Sequence, residues 1–170
     1  MSARPRLFGL ALAALVFALD QWVKWLVVNP LRLREVGQIE LLPFFNLTWA
    51  ENYGVSLGLL TANSAEMRWL LVALTSAIAL GVLMWMFRER ELADIAGLGL
   101  VLGGALGNIR DRYNLGHVID YADLHFGDFR PFLIFNIADA AITIGVLIIL
   151  ARSFLSRDKR DDAANAAPES

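Results

Sequence analysis

Apolar residues along this chain gather into four long runs, over residues 7–28, 69–87, 92–109 and 132–150. At 1.5 Å per helical residue, each run has about the length needed to cross some 30 Å of hydrocarbon. The pattern therefore predicts four transmembrane helices, and an even number of spans places both termini on the same side. The second run contains no charged residue. The first is interrupted near its end by Asp20, Gln21 and Lys24, the third is glycine-rich with Asp94 near its start, and the fourth encloses Asn136 and Asp139. Arg4 and Arg6 ahead of a short apolar run resemble the start of a cleaved signal peptide. Polar residues at helical spacing continue past that run, however, and Trp22 and Trp25 extend it as an interfacial belt, so an uncleaved helix accounts for more of the sequence.

The connectors differ in kind. Residues 88–91 form a tight turn. The long loop 29–68 holds two extended stretches, 38–42 and 44–50, separated by Pro43, and these predict a small sheet on the membrane surface. A second loop, 113–131, carries Phe126 and Phe129 and is expected to touch lipid. The polar tail 156–170 is expected to be disordered. The fold class is thus membrane all-α, four transmembrane helices with a small extracytoplasmic β-cradle, in a single domain over residues 1–155. Arg4, Arg6, Arg88, Arg90, Arg152, Arg157, Lys159 and Arg160 flank one side of the spans. Arg32, Arg34, Arg68 and Arg130 flank the other, and the excess of cations on the first side puts both termini in the cytoplasm.

Composition agrees. The residues AVILMFWYC make up 57% of the 170-residue chain, charged residues only 19%, and 15 Lys and Arg stand against 17 Asp and Glu for a net charge of −2. No basic field exists to attract nucleic acid. The absence of cysteine removes disulfides, Cys-ligated zinc, iron–sulfur centres and thiol chemistry.

A charge near the bilayer centre costs roughly 2.5–3.5 kcal/mol or more, so each one in a span needs a reason. Counting back from the expected helix ends, Asp20 lies roughly 12 Å and Asp139 roughly 10 Å below the outer surface. Asn108, Asp111 and Arg112 close the third span, and Asp120 sits in the loop after it. Four separated parts of the chain therefore bring polar groups to one level. Asp20 and Lys24, at i and i+4, form an internal ion pair. Gly99, Gly103 and Gly107 make a small-residue stripe that lets helices approach, with Gly104 beside it. Asp120 and Asp139 make a candidate carboxylate pair. Two acids held close in a low-dielectric site cannot both ionise cheaply, so they share a proton and supply a base and an acid together. Two other patterns carry less. The G-x-S-x-G around Ser56 lacks the strand–turn–helix context of a nucleophile elbow. His117 and His125, with Asp120 and Asp123, lack metal-ligand spacing, so no metal or other cofactor is expected. A proton-relay transporter built on Asp20 and Asp139 would call for internal repeats and broken helices, which the pattern lacks.

Five segments resemble the motifs of the lipoprotein signal peptidases (signal peptidase II). They are Asp20-Gln-Trp-Val-Lys24, Glu51-Asn52-Tyr-Gly54-Val-Ser56, the run from Gly103 through Asn108 to Asp111-Arg112, Val118-Ile-Asp120-Tyr, and Phe135-Asn136-Ile-Ala-Asp139. Leu57 departs from the family's more usual aromatic residue. The resemblance implies an aspartic endopeptidase of the bacterial inner membrane. It would cleave a diacylglyceryl-modified prolipoprotein before its lipidated cysteine, with Asp120 and Asp139 catalytic. Asn52, Gly54, Asn108, Asp111, Arg112 and Asn136 would bind substrate or support the site, while Asp20 and Lys24 brace it. The expected partners are the lipid-modified precursor and membrane lipid, and the expected state is a monomer.

Overall fold

A computed structural model describes residues 4–55, 60–61 and 65–165. Its long helices are α1 (Arg4–Val28), α3 (Ala65–Arg88), α4 (Leu92–Leu115) and α5 (Ile137–Asn165), with a single-turn α2 (Leu33–Val36) after the first. Four stretches are long and apolar enough to cross a membrane: Arg4–Val28, Glu66–Arg88, Leu92–Leu115 and Ile137–Leu155. Strands β1 (Gln38–Leu42), β2 (Phe45–Asn52) and β5 (Val118–Leu124) form an antiparallel sheet in the order β1-β2-β5, and β3 (Gly54–Val55) pairs with β4 (Leu60–Thr61).

Helix α4 is the centre, with α1, α3 and α5 packed around it. Its glycines make this possible on two faces. A Cβ on Gly99 would come within 2.7 Å of the Gly9 carbonyl oxygen, and one on Gly103 within 2.5 Å of that of Ala13, so this stripe seats α1. On the other face a Cβ at Gly104 would strike the Ala138 carbonyl, and Gly97 meets Gly145 backbone to backbone, so the second stripe seats α5. Without a hydrophobic drive between helices in lipid, such backbone proximity is the main source of packing energy. Ala13, Ala79, Met86, Ile95, Leu98 and Leu102 fill the core between α1, α3 and α4.

Three expectations are corrected. The third helix ends at Leu115, not at residue 109, because the apolar run marks the hydrocarbon depth while the helix continues to its stop signal. That signal is Gly116, left-handed at φ 87°, whose N–H bonds the Arg112 carbonyl. Residues 118–124 are not loop but the strand β5, buried on both faces; two aspartates in seven residues break the apolar run such a strand would show. The last helix begins at Ile137 rather than 132 and runs to Asn165, so part of the tail expected to be disordered is helical. Phe135, ahead of it, pairs instead with Ala122 across the free edge of β5.

Thermal unfolding in detergent checks the helix seat. Gly103→Ala is expected to cost about 1–3 kcal/mol by forcing α1 away. Gly81→Ala, which meets nothing within 4 Å, is expected to cost nothing.

Candidate active site

The site forms where the sheet meets the helix ends. Strand β5 lies between β2 and the Phe135 segment, with Asp120 opposite Ala50 and Asn52 opposite Val118. The β2–β5 register shifts between Leu47 and Ala50. Such an irregularity re-aims side chains, here beside Asp120. The Phe135 pairing then delivers Asn136 and the start of α5 alongside that strand.

Asn136 and Asp139 form a reciprocal cap at the α5 N-terminus. The Asp139 N–H donates to Asn136 Oδ1 at 2.9 Å, and the Asn136 N–H donates to Asp139 Oδ2 at 3.3 Å. This is the capping-box geometry with Asn and Asp in place of the usual residues, and it explains the spacing of the motif. Asp139 thus stands in the first helical turn rather than deep within a span. The other orphan donors of that turn are also met. The Ile137 N–H bonds the Tyr121 hydroxyl at 3.3 Å, and the Ala138 N–H bonds Asp20 Oδ1 at 3.1 Å.

Two asparagines join the aspartates. Asn136 Nδ2 donates to Asp120 Oδ1 at 2.6 Å and lies 3.3 Å from Asn108 Oδ1, while Asn108 Nδ2 donates to Asp139 Oδ1 at 2.8 Å. Asn52 Nδ2 reaches the second Asp120 oxygen at 3.1 Å, and Asn52 Oδ1 accepts the Gly54 N–H. Asp120 is 3% exposed. Burial first, and then the Asp139 charge, push its carboxyl up to about 7 against the opposing hydrogen bonds of Asn52 and Asn136. Arg112, on the last turn of α4, donates from Nη2 to the Gly54 carbonyl at 3.2 Å, and its buried Nε has no acceptor among the described residues.

Beneath this lies a fully buried charge cluster. Lys24 Nζ is 2.9 Å from Asp20 Oδ2, 2.7 Å from Asp111 Oδ2 and 3.2 Å from Asn108 Oδ1. The pair read from the sequence is therefore a triad, and each acid also holds a backbone N–H: Asp20 that of Ala138 on α5, Asp111 that of Ile119 on β5. Gln21 had no assigned role, yet its Nε2 reaches Asp20, Asp111 and the Gly107 carbonyl. Its place between the two residues of the D-Q-x-x-K segment was the available signal. Tyr121 was likewise unassigned, visible only as the aromatic after Asp120.

The remaining candidates scatter. His117 packs on Tyr53 and His125 lies beyond the far end of β5, roughly 25 Å along the strand at 3.3 Å per residue, so the two histidines share no site. Ser56 and Leu57 lie outside the described residues. Asp123 is held by Arg130 and Thr48, away from the asparagine bridge.

Four apolar helices beneath a small sheet, with paired acids where they meet, define a polytopic membrane enzyme. Two solved bacterial membrane enzymes share the fold. One, at 26% identity, has a TM-score of 0.76 over 96% of this chain and 93% of its own. The other, at 29%, has a TM-score of 0.71 over 85% and 91%. The particular family follows from sequence. The signal peptidase (SPase) II family model matches residues 12–155. Lipoprotein signal peptidases of Sphingopyxis alaskensis and Rhizorhabdus wittichii are 56% and 54% identical over 92% and 94% of this chain, and over 90% and 93% of their own. The chain belongs to the signal peptidase II family and is a membrane-spanning protease.

Removing the cation of the buried cluster tests its bracing role. Lys24→Met leaves Asp20 and Asp111 facing one another in a dry interior, and a loss of about 3–5 kcal/mol is expected in thermal unfolding.

Proposed function

We propose that this protease removes the signal peptide from diacylglyceryl-modified prolipoproteins at the outer face of the bacterial inner membrane, with Asp120 and Asp139 as its catalytic pair. The observation that carries the reading is the asparagine bridge: Asn136 and Asn108 tie one carboxylate of a sheet strand to one of a helix N-terminus. An Asp120 carboxyl raised to about 7 by burial and by the neighbouring Asp139 carboxylate supports a pair that shares one proton. The ionised member takes a proton from water as its oxygen attacks the scissile carbonyl, and the protonated member donates to the carbonyl oxygen. The first acid then passes its proton to the amide nitrogen as the C–N bond breaks, and the other carboxylate takes back a proton from the diol to leave the carboxylic acid. The roles belong to the pair as a unit.

The other residues fall into place around that step. Arg112 brings a cation and a buried donor without an acceptor among the described residues, which fits a role in binding the substrate backbone or the developing oxyanion. Asn52 orients Asp120 and, through its bond to the Gly54 N–H, shapes the β2–β3 connection beside the site. Asn108 and Asn136 position the pair, while Asp20, Lys24 and Asp111 hold the elements that carry it. The protein works as a monomer with no cofactor. Substrate enters sideways from the bilayer, since its lipid anchor stays in the leaflet during cleavage. Both termini face the cytoplasm.

A gel-shift assay with a lipidated precursor in nanodiscs tests the assignment. Asp120→Asn and Asp139→Asn are each expected to cut processing by roughly 10²–10⁴-fold or more, with unfolding temperatures close to wild type. Near wild-type processing by either variant contradicts it.

A further inference from the structure

Helices α1, α3 and α4 leave a groove of about 580 Å³ between them, with Phe17, Val72, Leu106 and Ile109 on its walls, Ser76 part-way down, and Arg110 and Tyr113 also lining it. Its position in the bilayer can be read from the helix ends on the site's side. Measured from the outer ends of the apolar runs at residues 28, 69 and 109, Leu106 lies three residues in, Ser76 seven and Phe17 eleven. At 1.5 Å per residue these side chains line the groove from roughly 5 to 16 Å below the hydrocarbon edge, the deepest at about half its thickness. The groove therefore spans one leaflet, the one on the side of the acids, and stops near the midplane.

Its walls are apolar and its rim is cationic. Arg110 is exposed on α4, where it donates a hydrogen bond to Gln21 on α1. Arg68 stands nearby, its Nε on the Arg112 carbonyl at 2.8 Å and its Nη2 on that of Tyr113, while Trp69 and Tyr113 stack edge to face with centroids 5.5 Å apart. Among the described residues, no acid lines this groove. An apolar slot one leaflet deep, capped by the Arg110 guanidinium and Tyr113 with Arg68 and Trp69 beside them, is complementary to an acyl chain bearing a negative headgroup. None of its lining residues belongs to the Asp120–Asp139 network.

We propose that this groove binds one anionic phospholipid of the site-side leaflet, with an acyl chain against Phe17, Val72 and Leu106 and its phosphate at Arg110. The bound lipid would wedge α1, α3 and α4 together on the flank away from the asparagine bridge.

Native mass spectrometry of the full-length protein tests this after equilibration in micelles with dioleoyl-phosphatidylglycerol or dioleoyl-phosphatidylcholine. Wild type is expected to retain one phosphatidylglycerol in preference to phosphatidylcholine. Arg110→Gln is expected to weaken that retention roughly fivefold, the loss for one cation at the surface. Leu106→Trp, which fills the groove, is expected to weaken retention of both lipids. Arg32→Gln, which removes an exposed cation on the same side, is expected to leave it unchanged. Equal retention by wild type and Arg110→Gln overturns the proposal, as does an equal loss in Arg32→Gln. It is also overturned if Leu106→Trp raises KM for the lipidated precursor in purely phosphatidylcholine discs, since the groove would then hold the substrate's chain. If Leu106→Trp fails to fold, Arg110→Gln on the exposed rim decides alone.

Discussion

A single buried ammonium governs the geometry of this protein. Lys24, on α1, lies between Asp20 of its own helix and Asp111 of α4, and both acids also accept a backbone N–H from elsewhere, Asp20 on its second oxygen and Asp111 on the oxygen that faces Lys24. Asp20 holds the first turn of α5, and Asp111 holds the start of β5. The two elements that present Asp139 and Asp120 are therefore both tied, through one cation, to the helices beneath them. In hydrocarbon an unpaired charge is expensive, so the cluster has one favourable arrangement and resists loosening. The glycine stripes on α4 serve the same end, because only at backbone contact can Asp20 pass Gly107, where a Cβ would sit 2.5 Å from its oxygen.

The acids above this base differ in setting. Asp139 shares a helix N-terminus with its capping Asn136, while Asp120 is enclosed in a strand buried on both faces. Burial raises the Asp120 carboxyl, and Asn136 and Asn108 bridge it to Asp139.

Much of this was legible in the sequence, and the parts that were not have physical reasons. The four spans showed because mostly apolar runs of 18 to 22 residues leave little other choice, and the polar positions inside them stood out by their cost. The glycine repeat at 99, 103 and 107 announced close packing, but not that Gly97 and Gly104 seat a second helix on the opposite face. Hydropathy misplaced helix ends, since α4 continues past the hydrocarbon to Gly116 and α5 starts only after Phe135 has paired with β5. That second error set Asp139 too deep. Its spacing from Asn136 could have been recognised as a cap, which would have moved the helix start to Ile137. Strand β5 went unseen because its inward positions include Asp120 and Asp123, acids that a surface reading assigns to loops. The triad around Lys24 was visible only as an i, i+4 pair, because Asp111 reaches it from another helix.

Asp120 and Asp139 are held to share one proton below a pH of about 7. Because the Asp120 carboxyl is raised to about 7 from the usual carboxylate range, the pair should keep that proton below this pH and lose it above. Infrared difference spectroscopy across a pH titration measures this directly, with the Asp120→Asn/Asp139→Asn double variant as reference. The account predicts one protonated carboxylic acid absorption, present in wild type at pH 6, lost as pH rises through about 7 and missing from the double variant. An absorption that is already gone at pH 5, or that titrates identically in the double variant, would contradict it.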